Sequence, residues 1–229
     1  MSPSDPPALL VAHEGPLSDE GAAAFRSFVG GLSDRPDAAG VPVAGHGPGT
    51  SPAPAPAPGT VAVGLDAAPV APELLYALER RVGDTVTLPE RARTTVLLAA
   101  PGSGDPEVNA AAHRTARLLW EGSGLAGVEV AFVSVAAPDV PSGLDRCVAL
   151  GAGRVVLLPL AVFPGGHADR ARAHAEGWAA ARPGTEVRYA DVLGPVDELG
   201  DLVLARYRAA VAAGRCGACG HRAEPPAAV

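Results

Sequence analysis

Lysine is missing altogether: the eighteen basic residues among 229 are all arginine. That absence removes the phosphate-binding lysine of P-loops and every chemistry that runs through a lysine Schiff base, pyridoxal phosphate attachment included. Aromatic residues are scarce, at 4%, while hydrophobic residues reach 48%, much of it alanine. Three cysteines are too few for a disulfide framework and suit a reducing compartment. No apolar run approaches the roughly 20 residues of a membrane span. The start, MSPSDPPALL, has neither the charged n-region nor the apolar h-region of a signal peptide. A basic surplus is lacking too: the net charge is −7, which argues against a nucleic-acid partner. The expectation is a cytoplasmic protein that engages neither membrane nor nucleic acid.

What is present centres on RVVLLPLAVFPGGHADRARAH, residues 154–174. Its opening run, through Phe163, is apolar and β-branched without alternation, the pattern of a strand covered on both faces of a parallel sheet. Pro164-Gly165-Gly166 breaks it, and His167 opens a segment of helical composition. The imidazole thus falls where a strand's carboxyl end meets a helix start, the edge at which open α/β sheets bind ligands. On position alone it is either a site residue or a loop histidine.

From Thr94 onward strands and helices alternate: TVLLAA, a helix over 107–121 behind Asp105-Pro106, VEVAFVSVA, a helix over 142–150, VVLLPLAVF, a helix over 167–181, EVRYADVL, and a helix over 196–212. Four strands alternating with four helices through short connections call for right-handed βαβ units. Before them lie ALLVA, ending at His13, an amphipathic helix over 22–32, a short strand over 60–65 and a helix over 71–82. Between residues 33 and 59 there is no periodicity, and the Pro/Ala run at about 39–59 reads as a disordered loop.

The two halves resemble each other. LLVAHEGPLSDEGAAAF lies over LLAAPGSGDPEVNAAAH, placing His13 on Pro101, and Pro69 later falls on Pro195. His13 and Pro69 are 56 residues apart and Pro101 and Pro195 are 94, so the first half is 38 residues shorter. The expected gap takes the counterpart of the central strand and of the GGH turn.

A strand ending in His-Gly-Ser-Arg-Asp-Pro-Glu before an Ala/Asn-rich helix, followed by PL-x-x-F-x-GGH, is similar to the class II chelatases of the sirohydrochlorin chelatase family. PGSGDPEVNAAAHRTARLL, LDRCVALGAGRVVLLPLAVFPGGH and LGPVDEL carry the resemblance. It covers residues 94–212 and, more loosely, 8–33 and 60–82. It implies two flavodoxin-like parallel-sheet lobes, a shortened one over 1–92 and a complete one over 93–213, with a CxxC-bearing tail over 214–229. It implies ATP-independent insertion of Co(II) or Fe(II) into sirohydrochlorin or a related tetrapyrrole. No cofactor is tightly bound, the divalent metal is a substrate, and the chain is a monomer or homodimer. His167 and His13 are then the catalytic, metal-binding imidazoles, brought to one cleft by lobes related through an approximate two-fold axis. The departures are Pro101 at the second lobe's first-histidine position, Ser134 where an acidic residue is expected, and the absence of the first lobe's own GGH segment.

Metal insertion needs neutral imidazoles to hold a divalent ion, a base for two pyrrole protons, and an open coordination position so that the metal can leave. The eight carboxylates of sirohydrochlorin call for cations. Arg170 and Arg172 are candidates, with Ser134 and Ser103 as further substrate contacts. His174, two helical turns beyond His167, is a candidate entry ligand; Glu176 and His46 read as solvated, and His113 as structural. Cys216, Cys219 and His221 have the composition of half a zinc site; an incidental reduced pair is the other reading. Cys147 reads as a small buried hydrophobe. Two functions remain, a chelatase and a non-catalytic relative that holds metal or tetrapyrrole.

Overall fold

The computed structural model describes residues 6–13, 15–47, 60–65 and 72–213. The chain forms two compact units, each an α/β layer structure: Met1–Ala68 with Pro195–Val229, and Pro69–Gly194. The units interleave along the sequence: the helices before residue 92 pack in the second unit, and the last helix packs in the first.

Unit 1 is built on β1 (Ala8–Ala12), flanked in parallel by β2 (Val43–His46) and β3 (Thr60–Gly64), in the order β2-β1-β3. Helix α1 (Asp19–Ser33) connects β1 to β2. Ser18 caps it by accepting from the Gly21 N–H, and Phe25, Phe28 and Leu32, at helical spacing, are buried. The last helix, α7 (Asp197–Ala213), joins this unit. Arg206 donates to the Gly64 carbonyl at 3.1 Å, Tyr207 Oη donates to the Pro7 carbonyl, and Arg35 pairs with Asp201.

Unit 2 carries a four-stranded parallel sheet, β5-β4-β6-β7, made of β4 (Thr95–Ala100), β5 (Gly127–Phe132), β6 (Arg154–Pro159) and β7 (Glu186–Tyr189). All six residues of β4 are buried, as its unalternating sequence requires of a central strand covered on both faces. Helices α4 (Pro106–Trp120), α5 (Val140–Ala149) and α6 (Gly166–Ala180) connect the strands. One core joins Leu97, Ala99, Val155 and Leu157 of the sheet to Leu144 and Cys147 of α5 and Ala171, Ala175 and Trp178 of α6. Burial pushes the Cys147 thiol up to about 12, as expected of an inert core cysteine. Helix α2 (Pro72–Thr85) and the single turn α3 (Leu88–Arg91) belong here. The buried Arg91 guanidinium ties them down by donating to Glu79 and to the Ser123 carbonyl, and Arg81 donates to the Leu193 carbonyl.

Four sequence expectations need correction. The stretch 33–59 is not uniformly irregular: a 3-10 turn (Pro36–Ala38) and β2 lie within it. A four-residue strand, VAGH, is too short and too glycine-weakened to show a period of two. The rest of the Pro/Ala run, residues 48–59, lies outside the described residues. His46 is not a loop histidine but the last residue of β2. The central strand ends at Pro159 rather than Phe163: proline has no N–H, and Leu160 makes the last ladder bond, to the Ala99 carbonyl at 2.8 Å. The counterpart of the central strand, expected to fall in the gap of the first half, is present: by its neighbours, β3 takes in unit 1 the place of β6 in unit 2. Among the described residues, what unit 1 lacks is therefore the two helices and the edge strand around that position.

Candidate functional site

The chemistry gathers at the carboxyl edge of each sheet. In unit 2 the chain leaving β6 is held by the Leu193 and Gly194 N–H groups, which donate to the carbonyls of Ala161 and Val162. Val162 and Phe163 are buried beneath it. Gly165 then adopts φ 151°, ψ −170°, a conformation closed to residues with a Cβ. Its carbonyl accepts from the Asp169 N–H at 3.0 Å, closing the first turn of α6. This turn presents His167, half-buried, as the second residue of the helix. Helix α6 itself is pinned by Trp178, whose Nε1 donates to Asp145 of α5 at 2.9 Å.

Arg170, one turn on and exposed, places its Nη2 3.1 Å from His167 Nδ1. Arg172 lies elsewhere: its guanidinium sits 4.8 Å over the Tyr189 ring, on the β7 side of the helix. That ring's hydroxyl is pushed above its ordinary range by burial, with Glu176 adding to the effect. His174 is exposed, and its charge interaction is with Asp139, the N-cap of α5. Asp139's carboxyl is held below the usual range chiefly by the Ser142 hydroxyl and N–H. Among the described residues no three His, Cys, Asp or Glu side chains converge as a metal cage.

The loop beside the site is fixed by its own side chains. Gly102 has φ +86°, and a Cβ there would lie 1.9 Å from the Ser134 carbonyl oxygen. The Pro101 carbonyl accepts from both the Ser134 N–H and its hydroxyl, each at 3.1 Å. The Ser103 hydroxyl accepts from the Asp105 N–H. Both serines expected to touch substrate therefore spend these groups on the loop. Asn109, which the sequence reading did not single out, accepts from the Ser103 N–H and donates to its carbonyl, at 3.0 and 2.8 Å. The available signal was an asparagine in the first turns of a helix directly after a Gly-Ser-Gly loop.

In unit 1, His13 follows β1 and is 7% exposed, its ring 6.2 Å from that of Phe25. The His13 N–H donates to the His46 carbonyl at 3.0 Å. Two imidazoles thus leave neighbouring strands at the same edge, the second unanticipated. His113, on α4, meets Phe132 edge-on at 5.8 Å, in keeping with a structural role. Cys216, Cys219 and His221 lie outside the described residues. A groove of about 810 Å³ lies at the amino edge of the unit 2 sheet, lined by Arg93, Trp120, Leu150 and Arg154, at the opposite end from His167.

Two parallel-sheet α/β units with imidazoles at the carboxyl edges define the class. A family model described as CbiX matches residues 95–210, half of the chain, and the chain belongs to that family. It is similar to the sirohydrochlorin cobaltochelatase of Priestia megaterium, at 36% identity over 95 residues, 42% of this chain and 31% of that protein. The match thus spans about a third of that relative's length. In fold it is similar to SirB from Bacillus subtilis with Fe3+, at TM-score 0.68 and 18% identity, covering 91% of this chain and 98% of that one. SirB in complex with cobalt, from Bacillus subtilis subspecies spizizenii, gives 0.63 and 15%, over 90% and 95% of the two chains.

Proposed function

We propose that the protein is an ATP-independent chelatase that inserts Co(II) or Fe(II) into sirohydrochlorin or a related tetrapyrrole, in cobalamin or siroheme biosynthesis. The observation that carries this reading is His167, held by the Gly165 turn at the carboxyl edge of the unit 2 sheet with a guanidinium beside it. In the reaction the ring loses two pyrrole protons as the divalent metal takes their place. A neutral imidazole serves either as a labile ligand delivering the metal or as acceptor of a proton. A site of one or two imidazoles releases the ion where a four-ligand cage would retain it. His13 of unit 1 is the second imidazole in this reading. Arg170 receives a substrate carboxylate, and Arg172 does so only after leaving the Tyr189 ring. His174 is an entry ligand, and Cys216, Cys219 and His221 are assigned to metal capture on composition alone. The chain works in the cytoplasm as a monomer or homodimer; among the described residues no helix is long and apolar enough to cross a membrane.

A second reading, a relative that carries metal or tetrapyrrole without turnover, is favoured by Pro101 at the end of β4, where the family motif has histidine. Anaerobic incubation of His167→Ala and His113→Ala with sirohydrochlorin and Co(II), followed by absorbance, separates the two. The chelatase reading expects His167→Ala to lose about tenfold or more of the protein-dependent rate and His113→Ala to keep most of it. Equal effects favour the carrier.

A further inference from the structure

The groove at the amino edge of the unit 2 sheet takes no part in the proposed function. Trp120 ends α4 and Leu150 caps α5, and these helices lie on opposite faces of the sheet. Helix α5 packs on Leu97 and Ala131, while His113 of α4 meets Phe132, whose side chain points away from that of Ala131. Two large side chains thus line the groove from opposite faces, exposed to 40% and 66%. The indole is fixed: its Nε1 donates to the Leu125 carbonyl at 3.0 Å, and the Arg117 guanidinium lies 5.1 Å over the ring. Short residues, Ala126, Gly127, Ala152 and Gly153, complete the apolar lining. The volume of about 810 Å³ falls within the roughly 300–1,000 Å³ of small-molecule sites.

The charged lining is Arg93, Glu129, Arg154 and Glu186. Glu129 is matched by Arg146 at 2.8 Å, and Arg154 by Glu90 and Glu186 at 3.0 and 2.7 Å. Arg93 is exposed, and among the described residues its guanidinium has no carboxylate partner. We propose that this groove is a second binding site, for a flat apolar molecule bearing a single negative charge. Its rings lie between Trp120 and Leu150, and its anionic group pairs with Arg93, the fork of donors that suits a carboxylate or sulfonate. Two helix ends reach this edge, and open C-terminal carbonyls would oppose an anion. They are closed here. The Trp120 carbonyl accepts from the Ser123 N–H and hydroxyl, and those of Cys147 and Val148 accept from the Ala152 and Gly151 N–H groups. A molecule with many carboxylates is a poor occupant, because one guanidinium leaves most of its charge facing Glu129 and Glu186. The site therefore differs in chemistry from the His167 edge and does not rest on the chelatase reading.

The test uses the full chain and two probes with the same rings: 1-anilinonaphthalene-8-sulfonate, an anion, and N-phenyl-1-naphthylamine, its neutral counterpart. Fluorescence titration should give one equivalent of the anion, bound more tightly than the neutral probe. Arg93→Gln should weaken the anion about three- to tenfold, the size of one charge-assisted contact, and leave the neutral probe within about twofold. Leu150→Ser should weaken both probes alike. Neither His167→Ala nor an excess of uroporphyrin I, an octacarboxylate, should change the anion's affinity. No binding by the parent, equal affinity for the two probes, or an anion affinity unaltered in Arg93→Gln overturns the proposal. Displacement by uroporphyrin I also overturns it, by placing the probe in a tetrapyrrole site. Sedimentation equilibrium tests the other occupant: a dimer of the parent that Leu150→Ser dissociates would give the groove to a second copy of the chain and overturn the small-molecule site.

Discussion

Gly102 shows how strictly single positions hold the loop next to the site. Its left-handed φ of +86° and the 1.9 Å approach of a hypothetical Cβ to the Ser134 carbonyl leave no room for a side chain. Gly102→Ala should lower unfolding free energy by roughly 3 kcal/mol or more, combining backbone strain with the forced separation of two loops. The midpoint of denaturant unfolding measures it, and a change below about 0.5 kcal/mol, the range of ordinary surface substitutions, would mean that the loop yields freely. Glu90 acts on stability through charge. The Thr87 N–H, followed by the Arg188 guanidinium and the Thr87 hydroxyl, holds its carboxyl down at about 2, against an ordinary 4.5. Arg154 also reaches it, at 3.0 Å. Because the folded state binds this proton more weakly than the unfolded chain, the stabilisation is complete above about pH 4.5 and is lost as pH falls toward about 2. Thermal midpoints should therefore drop across that window. Glu90→Gln should start lower at pH 7 and fall less steeply on acidification; parallel curves for the two proteins would remove Glu90 from the account.

At the scale of elements, the start of α6 is the critical piece. Gly165→Ala forces a Cβ into a glycine-only conformation, at about 1–3 kcal/mol, and should displace His167 from the sheet edge. The expected signature is a protein that still folds, with helix content near the parent's, but that has lost as much metal-dependent activity as His167→Ala. Full activity in Gly165→Ala would show that the turn does not position the imidazole. This element was legible in the sequence, as were β4 and β6, because strands buried on both faces read as unbroken apolar runs. The end of β6 was not, because Val162 and Phe163 are buried although they lie outside the sheet. Helical spacing identified α1, whose buried Phe25, Phe28 and Leu32 form one stripe. By contrast, β2 was invisible: it borrows its order from the β1 ladder and has only four residues. His46 was missed with it. Asn109, and the clamping role of Ser134, escaped for a different reason, since side chains that clamp a loop leave no periodic trace.

Across the whole molecule, the sequence repeat and the packing units do not coincide. Helix α2 belongs to the first half of the sequence and packs in unit 2, while α7 belongs to the second half and packs in unit 1. Sequence alignment of the halves pairs these helices, but periodicity carries no information about which sheet a helix covers. The same alignment located the shortening of the first half; the order β2-β1-β3 against β5-β4-β6-β7 shows which position the retained strand occupies. Family membership rests on residues 95–210, which include the Gly165 turn, His167 and Arg170. The central claim is that a chain with one shortened unit and Pro101 in place of the motif histidine nevertheless turns over. The most direct measurement is anaerobic incubation of the unaltered protein with sirohydrochlorin and Co(II) or Fe(II), reading the conversion of the tetrapyrrole spectrum against protein-free controls. The account predicts an initial rate that rises in proportion to protein concentration, far above the control, without ATP. A rate indistinguishable from the control at every protein concentration, with tetrapyrrole bound but unmetallated, would contradict it.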